Sequence, residues 1–289
     1  MTTTGTGPSV PSGRGSRALG NRAVLVSSAS TVLFFAVIAV IVVLAPGSEV
    51  VAERFFSPPH LWQSLVGSES EPSVLGAFLL NVKIFTVSEV FILILALVIA
   101  VVRGIPGPVF FPFRLLAVAY TDLFRGVPLI LVLYMIGFGV PGLGLGFVSY
   151  LPDVTYGIIA LVLVYSAYVA EVYRAGIESV HESQNAAARS LGLTRWQSLR
   201  FVVLPQAIRR VIPPLLNDFI GLQKDTALVS VLGSIEAARA AQIYSASEFN
   251  YASYVVAAFL FVLITIPLAR FTDRLIARDK RRREAGGLA

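Results

Sequence analysis

The sequence predicts an all-α integral membrane protein with six membrane-spanning helices. Of its 289 residues, 56% are hydrophobic and only 14% charged, with a mean hydropathy of +0.77; soluble domains are ordinarily about a quarter charged. The apolar residues lie in blocks of about 20, the length a helix needs to cross a bilayer core. The basic residues gather at the ends of those blocks rather than along one face, as expected for the cytoplasmic flanks of a membrane protein.

The elements follow in order. Residues 1–22 are rich in Gly, Ser, Thr and Arg with little to bury, and read as a disordered cytoplasmic tail. The first apolar block, Val24 to Ala45, stops at Pro46-Gly47 and lies within a segment 23–46. It is too long for the apolar core of a signal peptide, and Ala45-Pro46 is a poor cleavage site, so it reads as a retained helix. Residues 47–72 carry Glu49, Glu53, Glu69 and Glu71 against the single basic Arg54, which suits an external loop. A second span from Val74 to Val102 stops at Arg103-Gly104, with Pro106 and Pro108 barring continuation. The third covers Leu115 to Val140 and the fourth Val154 to Gly176. The segment 177–205 is too polar to span. A fifth span runs from Pro205 to Leu232, a sixth from Tyr254 to Phe271, and residues 276–289 form a basic tail.

Six spans place both termini on one side. All 23 basic residues except Arg54, Lys83, Lys224 and Arg239 then fall on that side, in the first tail, in the segments 103–125 and 174–210, or from Arg270 at the end of the sixth span onward. Both termini are therefore expected in the cytoplasm. The chain has no cysteine, which excludes disulfides, thiolate metal sites and cysteine nucleophiles. His60 and His181 stand alone and read as solvated loop residues. The net charge of +6 is flanking charge, so nucleic acid is set aside as a partner.

The stretch between spans four and five is the most informative. Ser183 or Asn185 suits a helix N-cap, Ala186, Ala187 and Ala188 favour a helix, and Gly192 suits its left-handed end. Thr194 and Gln197 have the spacing of a capping box for a second helix with an apolar stripe of Trp196, Leu199 and Val203. Leu204-Pro205 is expected to stop it. Two readings fit this elbowed hairpin: an amphipathic pair resting on lipid, or a rigid knob for a partner protein.

The spacing Ala186-Ala187-Ala188, Gly192, Val202 and Leu204-Pro205 resembles the Glu-Ala-Ala loop of ABC importer permeases, and favours the second reading. The blocks Tyr120–Pro128, Tyr168–Ile177, Arg209–Phe219 and Lys224–Ser230 are similar to the polar amino-acid subfamily, the histidine, glutamine and glutamate type. The resemblance spans residues 75–275. It implies a type I importer core of five helices (residues 73–275) preceded by one extra helix, in a bacterial cell membrane. It further implies ABC ATPase subunits docked on the loop, a second permease (identical or homologous), an extracytoplasmic solute-binding protein and a polar amino acid as substrate, of the glutamate, glutamine or basic class. By the same resemblance this chain binds no cofactor, ATP-Mg residing on the ATPase partner, and is not an enzyme. Ala186 departs from the motif's glutamate, and Glu182 is the nearby carboxylate.

Ionisable groups inside spans usually face a pathway or a partner helix. Asn217, Gly221, Lys224 and Asp225 fall at i, i+4, i+7 and i+8 and are expected on one face, as a packing seam or as a path lining. Tyr165 and Glu171 in span four and Glu89 in span two complete the pathway candidates, although Glu171 can simply pair with Arg174, and Asp122 with Arg125. No catalytic or metal-binding constellation is legible. The three lysines, Lys83, Lys224 and Lys280, never follow a glycine, so no phosphate-binding P-loop exists. An ion-coupled secondary amino-acid transporter is the alternative, weakened by the lack of an internal repeat.

Overall fold

The computed structural model describes residues 15–180 and 182–286 and is helical throughout, with no strand among them. It comprises two compact units, Met1–Glu53 and Arg54–Ala289. The first contains α1, Gly15–Leu44, with exposed apolar side chains such as Val32, Phe34, Phe35 and Ile41. A helix apolar on all sides suits lipid rather than water. It begins at Gly15, inside the segment expected to be disordered, because extending a nucleated helix through Arg17-Ala18-Leu19 costs little. Residues 1–14 of the expected tail lie outside the described residues.

The expected external loop is folded into two short helices, α2 (Ser48–Phe56) and α3 (Pro58–Val66), the latter with proline at its start. His60 is no loop histidine. Its Nδ1 shares a 2.8 Å hydrogen bond with the hydroxyl of the fully buried Tyr244. Burial, with Glu248 and Glu71 nearby, pushes that phenol up to about 12, so it keeps its proton. His181 lies outside the described residues.

Helix α4, Val74–Gly104, is N-capped by Ser73, whose hydroxyl accepts from Gly76 N at 3.0 Å, and ends as anticipated beside Arg103. The third span is not straight. Helices α5 (Phe111–Gly126) and α6 (Leu129–Gly142) meet at 107°. Val127 is extended, as the residue before a proline prefers, and Pro128 restarts the helix. Helix α7, Asp153–Glu178, packs against α4 and α5.

After the hairpin described below, α10 (Leu204–Asp225) runs into a 3-10 segment, Thr226–Leu232. Helix α10 carries Arg209, Arg210, Asp218, Lys224 and Asp225, too many charges for an ordinary span. Among the described residues four helices are long and apolar enough to cross a membrane, or five if the bent pair is one span, so α10 is the difference from the six expected. A further helix, α11 (Ala237–Glu248), was not expected. The last, α12 (Ala252–Gly286), continues through Pro267 and carries most of the basic tail as helix; residues 287–289 lie outside the described residues.

Two apolar clusters hold the larger unit. One gathers Ile84, Ile92, Leu133, Leu161, Val164 and Leu222 from α4, α6, α7 and α10. The other packs Val74 and Phe78 of α4 against Ala237, Ala241, Ala257 and Leu260 of α11 and α12. Between the elements lies a buried polar knot. Glu236, fully buried, accepts from Ala238 N and Arg239 N at 2.9 Å and from Asn81 Nδ2 at 2.9 Å. Asn81 also donates to Thr226 Oγ1 at 3.1 Å and accepts from Ala237 N at 3.0 Å. Gln223 extends the knot to α12 by accepting from Thr265 at 2.9 Å. Burial pushes the Glu236 carboxyl above its ordinary value, opposed by the three N–H groups aimed at it.

Glu236→Ala strands the Asn81 amide and two first-turn amides of α11, and is expected to cost about 3 kcal/mol. Thermal unfolding in detergent should show a clear drop in Tm, against a shift within about 0.5 kcal/mol for the exposed Glu248→Ala. Equal melting of the two variants would refute a central role for the knot.

Candidate coupling hairpin and translocation cavity

The hairpin consists of α8 (Glu182–Ser190) and α9 (Arg195–Ser198). Gly192 turns between them at φ +84°, a left-handed conformation that costs any residue with a Cβ. Thr194 and Gln197 form the anticipated capping box: Gln197 N donates to Thr194 Oγ1 at 3.2 Å, and Thr194 N to Gln197 Oε1 at 2.9 Å. Asn185 does not cap α8. Its Oδ1 accepts from the buried Ser198 hydroxyl at 2.7 Å, which ties the two helices together. Ala188 is buried between them, as a small residue at a close crossing must be, while Ala186 and Ala187 are exposed. Glu182 opens α8, where a carboxylate complements the helix dipole.

Leu204-Pro205 does not stop the second helix. A π-helical turn, Leu199–Val203, widens the backbone ahead of the proline, and the helix continues directly into α10. A wider turn absorbs the N–H that Pro205 lacks. Leu191, Trp196 and Phe201 stay largely exposed along this unit. The hairpin thus runs into α10 without a break in the helical backbone.

At the other end of α10 is a cavity of about 430 Å³ lined by α7, α10 and the bend between α5 and α6. Arg125, Pro128, Tyr165, Tyr168, Asp218 and Asp225 are among its walls. The Tyr165 hydroxyl donates to Asp225 Oδ2 at 2.8 Å. Gly221 permits this approach: a Cβ there would lie 3.1 Å from the Tyr165 oxygen. The Arg125 guanidinium lies over the Tyr168 ring at 5.8 Å, and the Tyr168 hydroxyl donates to the Arg125 carbonyl at 3.3 Å. Asp122 and Arg125 form no ion pair, since Arg125 is engaged with Tyr168.

The polar face of α10 differs from the one expected. Gly221 and Asp225 face Tyr165, but Asn217 and Lys224 are exposed and do not line the cavity. Each precedes by one residue, a rotation of about 100°, an aspartate that does line it. Asp218 was missed, although its spacing with Gly221 and Asp225 (i, i+3, i+7) describes one helix face. Its Oδ2 is inaccessible and has no hydrogen-bond partner. Glu171 also lies outside the cavity, because Arg103 reaches it across from α4 at 3.0 Å and Arg174 pairs with it from one turn on. Glu89 is half-buried, within electrostatic reach of Asp218 but not a lining residue. Among the described residues no group of His, Cys, Asp or Glu is arranged to hold a metal.

The family model described as "Binding-protein-dependent transport system inner membrane component" matches residues 108–282. The probable glutamine ABC transporter permease protein GlnM of Bacillus subtilis (strain 168) is 37% identical over 177 residues, covering 61% of this chain and 79% of that protein. The arginine transport system permease protein ArtQ of the same organism is 33% identical over 207 residues, covering 72% and 92%. A crystal structure of an amino acid ABC transporter with histidines matches at 32% identity and a TM-score of 0.65, covering 71% of this chain and 93% of that one. An inward-facing MetNI methionine ABC transporter, 19% identical with a TM-score of 0.55 over 77% of this chain and 99% of that one, shares the fold. This chain therefore belongs to the binding-protein-dependent inner membrane components and is a permease subunit of an ABC importer, not an enzyme.

Proposed function

We propose that the chain forms half of the translocation path of an importer for polar amino acids, worked by a separate ATPase. The observation that carries this is the continuous helical connection from the Gly192 elbow through the π turn and α10 to Asp218 and Asp225 in the cavity wall. A knob with exposed Leu191 and Trp196 offers an apolar anchor for a partner's groove, and a shift of that knob along the helix moves one wall of the cavity. The relatives transport glutamine and arginine, as their names state, which supports an amino-acid substrate here.

The remaining parts follow from this assignment. ATP and Mg²⁺ are held by the ATPase, and this chain contributes no cofactor site. A second permease, identical or homologous, closes the path, and a solute-binding protein delivers substrate from outside. Both termini, with the hairpin Glu182–Val203, lie on the cytoplasmic side, in agreement with the distribution of arginine.

In membranes holding the complete importer, Gly192→Asp and Gly192→Pro are expected to lower ATP-dependent uptake at least about tenfold, since a left-handed residue and the elbow it makes are lost. Protein level and insertion should be unchanged. Normal uptake by a well-expressed variant would sink the coupling role. Uptake that follows an ion gradient and ignores ATP would instead point to a secondary transporter.

Leu129→Trp places an indole in the cavity wall at the α5–α6 bend. It is expected to block uptake while the ATPase still co-purifies with the chain. Unimpaired transport by this variant would remove the cavity from the path.

A further inference from the structure

We propose that the groove between α4, α7 and the start of α10 holds one anionic phospholipid, with an acyl chain against its apolar walls and the phosphate at Arg114 and Arg210. The site is separate from the translocation cavity and does not depend on what the importer carries.

The groove, about 620 Å³ in volume, is walled by residues such as Val101 and Ile105 of α4 and its end, Ile177 of α7, and Leu204, Ile208 and Leu215 of α10. No charged side chain lines it, and Tyr173 supplies its only side-chain hydroxyl. Val101, Ile177, Leu204 and Ile208 nevertheless stay exposed. The length of the groove is that of one leaflet. From Leu97 to Ile105 it follows the chain for about 12 Å, and from Leu204 to Leu215 for about 16 Å. Half of the hydrocarbon core is about 15 Å. An occupant that matches this shape is a hydrocarbon chain whose polar end sits beside the hairpin.

Charge decides which polar end. The nearby acids are already matched: Glu171 pairs with Arg103 and Arg174, and Glu178 with Arg174. Arg114 and Arg210 make no ion pair among the described residues. Each is pinned through Nη1 to a backbone carbonyl instead. Arg114 donates to that of Ile105, a wall residue, at 2.8 Å, and Arg210 donates to that of Ser179, two residues beyond the wall residue Ile177. One cation thus stands on the α4 side of the groove and one on the α7–α10 side. A guanidinium has five N–H donors, so these contacts orient both cations and leave most of their donors for oxyanions. Arginine meets phosphate oxygens two at a time. A zwitterionic head group brings its own cation to this pair, whereas an anionic one does not, and basic pockets between membrane helices select accordingly. The wall also includes Ala207, in the first turn of α10, so the lipid sits where the hairpin runs into that helix.

The test is lipid retention by the assembled permease–ATPase complex, read by native mass spectrometry after exchange with equal amounts of phosphatidylglycerol and phosphatidylcholine of matched chains. Phosphatidylglycerol should be retained about tenfold or more over phosphatidylcholine, as two basic contacts allow, and saturate at one per copy of this chain. Arg114→Gln with Arg210→Gln should bring that ratio to within about twofold. Ile208→Trp fills the groove and should remove both lipids from a complex that still assembles. Arg278→Gln, on the exposed end of α12, should leave the ratio unchanged. The chain has no cysteine, so Val101→Cys carries a single benzophenone label, which should crosslink to lipid. No preference for phosphatidylglycerol, retention that survives Ile208→Trp, or an equal loss with Arg278→Gln overturns the site. Crosslinking of Val101→Cys to a second permease chain overturns it too, because the groove is then a subunit interface.

Discussion

The buried carboxylate of Glu236 is the constraint on which the arrangement of the larger unit depends. In an apolar interior a polar group without a partner costs far more than a hydrogen bond gains. Asn81 and Glu236 therefore admit few relative positions of α4, the 3-10 segment and α11, since each donor and acceptor is used at 2.9 to 3.1 Å. Gln223, one turn before the 3-10 segment, joins α12 to the same knot through Thr265. With Gln223 fixed, the rotation of α10 about its axis is fixed too, and that rotation turns Asp218 and Asp225 toward Tyr165 rather than toward lipid. A knot placed 155 residues apart in sequence thus determines which face of α10 lines the cavity.

The other organising feature is mechanical continuity. From Arg195 to Leu232 the backbone is helical without a break, passing through one π turn and one 3-10 segment. At 1.5 Å per residue, Ser198 and Asp218 are about 30 Å apart along this rod. The Ser198–Asn185 bond ties the two hairpin helices to each other, and α10 stays helical through Pro213 and Pro214. The α5–α6 bend, the other wall of the cavity, is attached through Val127 and Pro128 and has no such connection to the hairpin.

Much of this was legible in the sequence, and the exceptions share a cause. Helix α4, the Gly192 elbow and the Thr194–Gln197 box are written in local spacing, and the structure reproduces them. Local signals misled where a wider turn rescued a breaker, as at Leu204-Pro205, where the π turn lets the helix pass. The third span, expected unbroken from Leu115 to Val140, is interrupted at Val127-Pro128, where the two helices meet at 107°. The partner of Glu171 on α4 is 68 residues away, and the cap of α11 depends on Asn81, so neither is visible in a window of sequence. Asn217 and Lys224 were favoured over Asp218 because polar character alone does not reveal which side of a helix meets its neighbour.

The charges of α10 bear on how the chain is made. The insertion machinery partitions nascent segments by their own apolarity, and an Arg, Lys or Asp near the centre of a helix costs about 2.5–3.5 kcal/mol. A segment with Arg209, Arg210, Asp218, Lys224 and Asp225 does not enter lipid by itself. Helix α7, apolar enough to be accepted first, offers it Tyr165 and a close-packed surface. A helix of this composition is held in a bilayer only where neighbours such as α7 cover its polar face. The residues that make the cavity polar are the same ones that make this wall dependent on its neighbours.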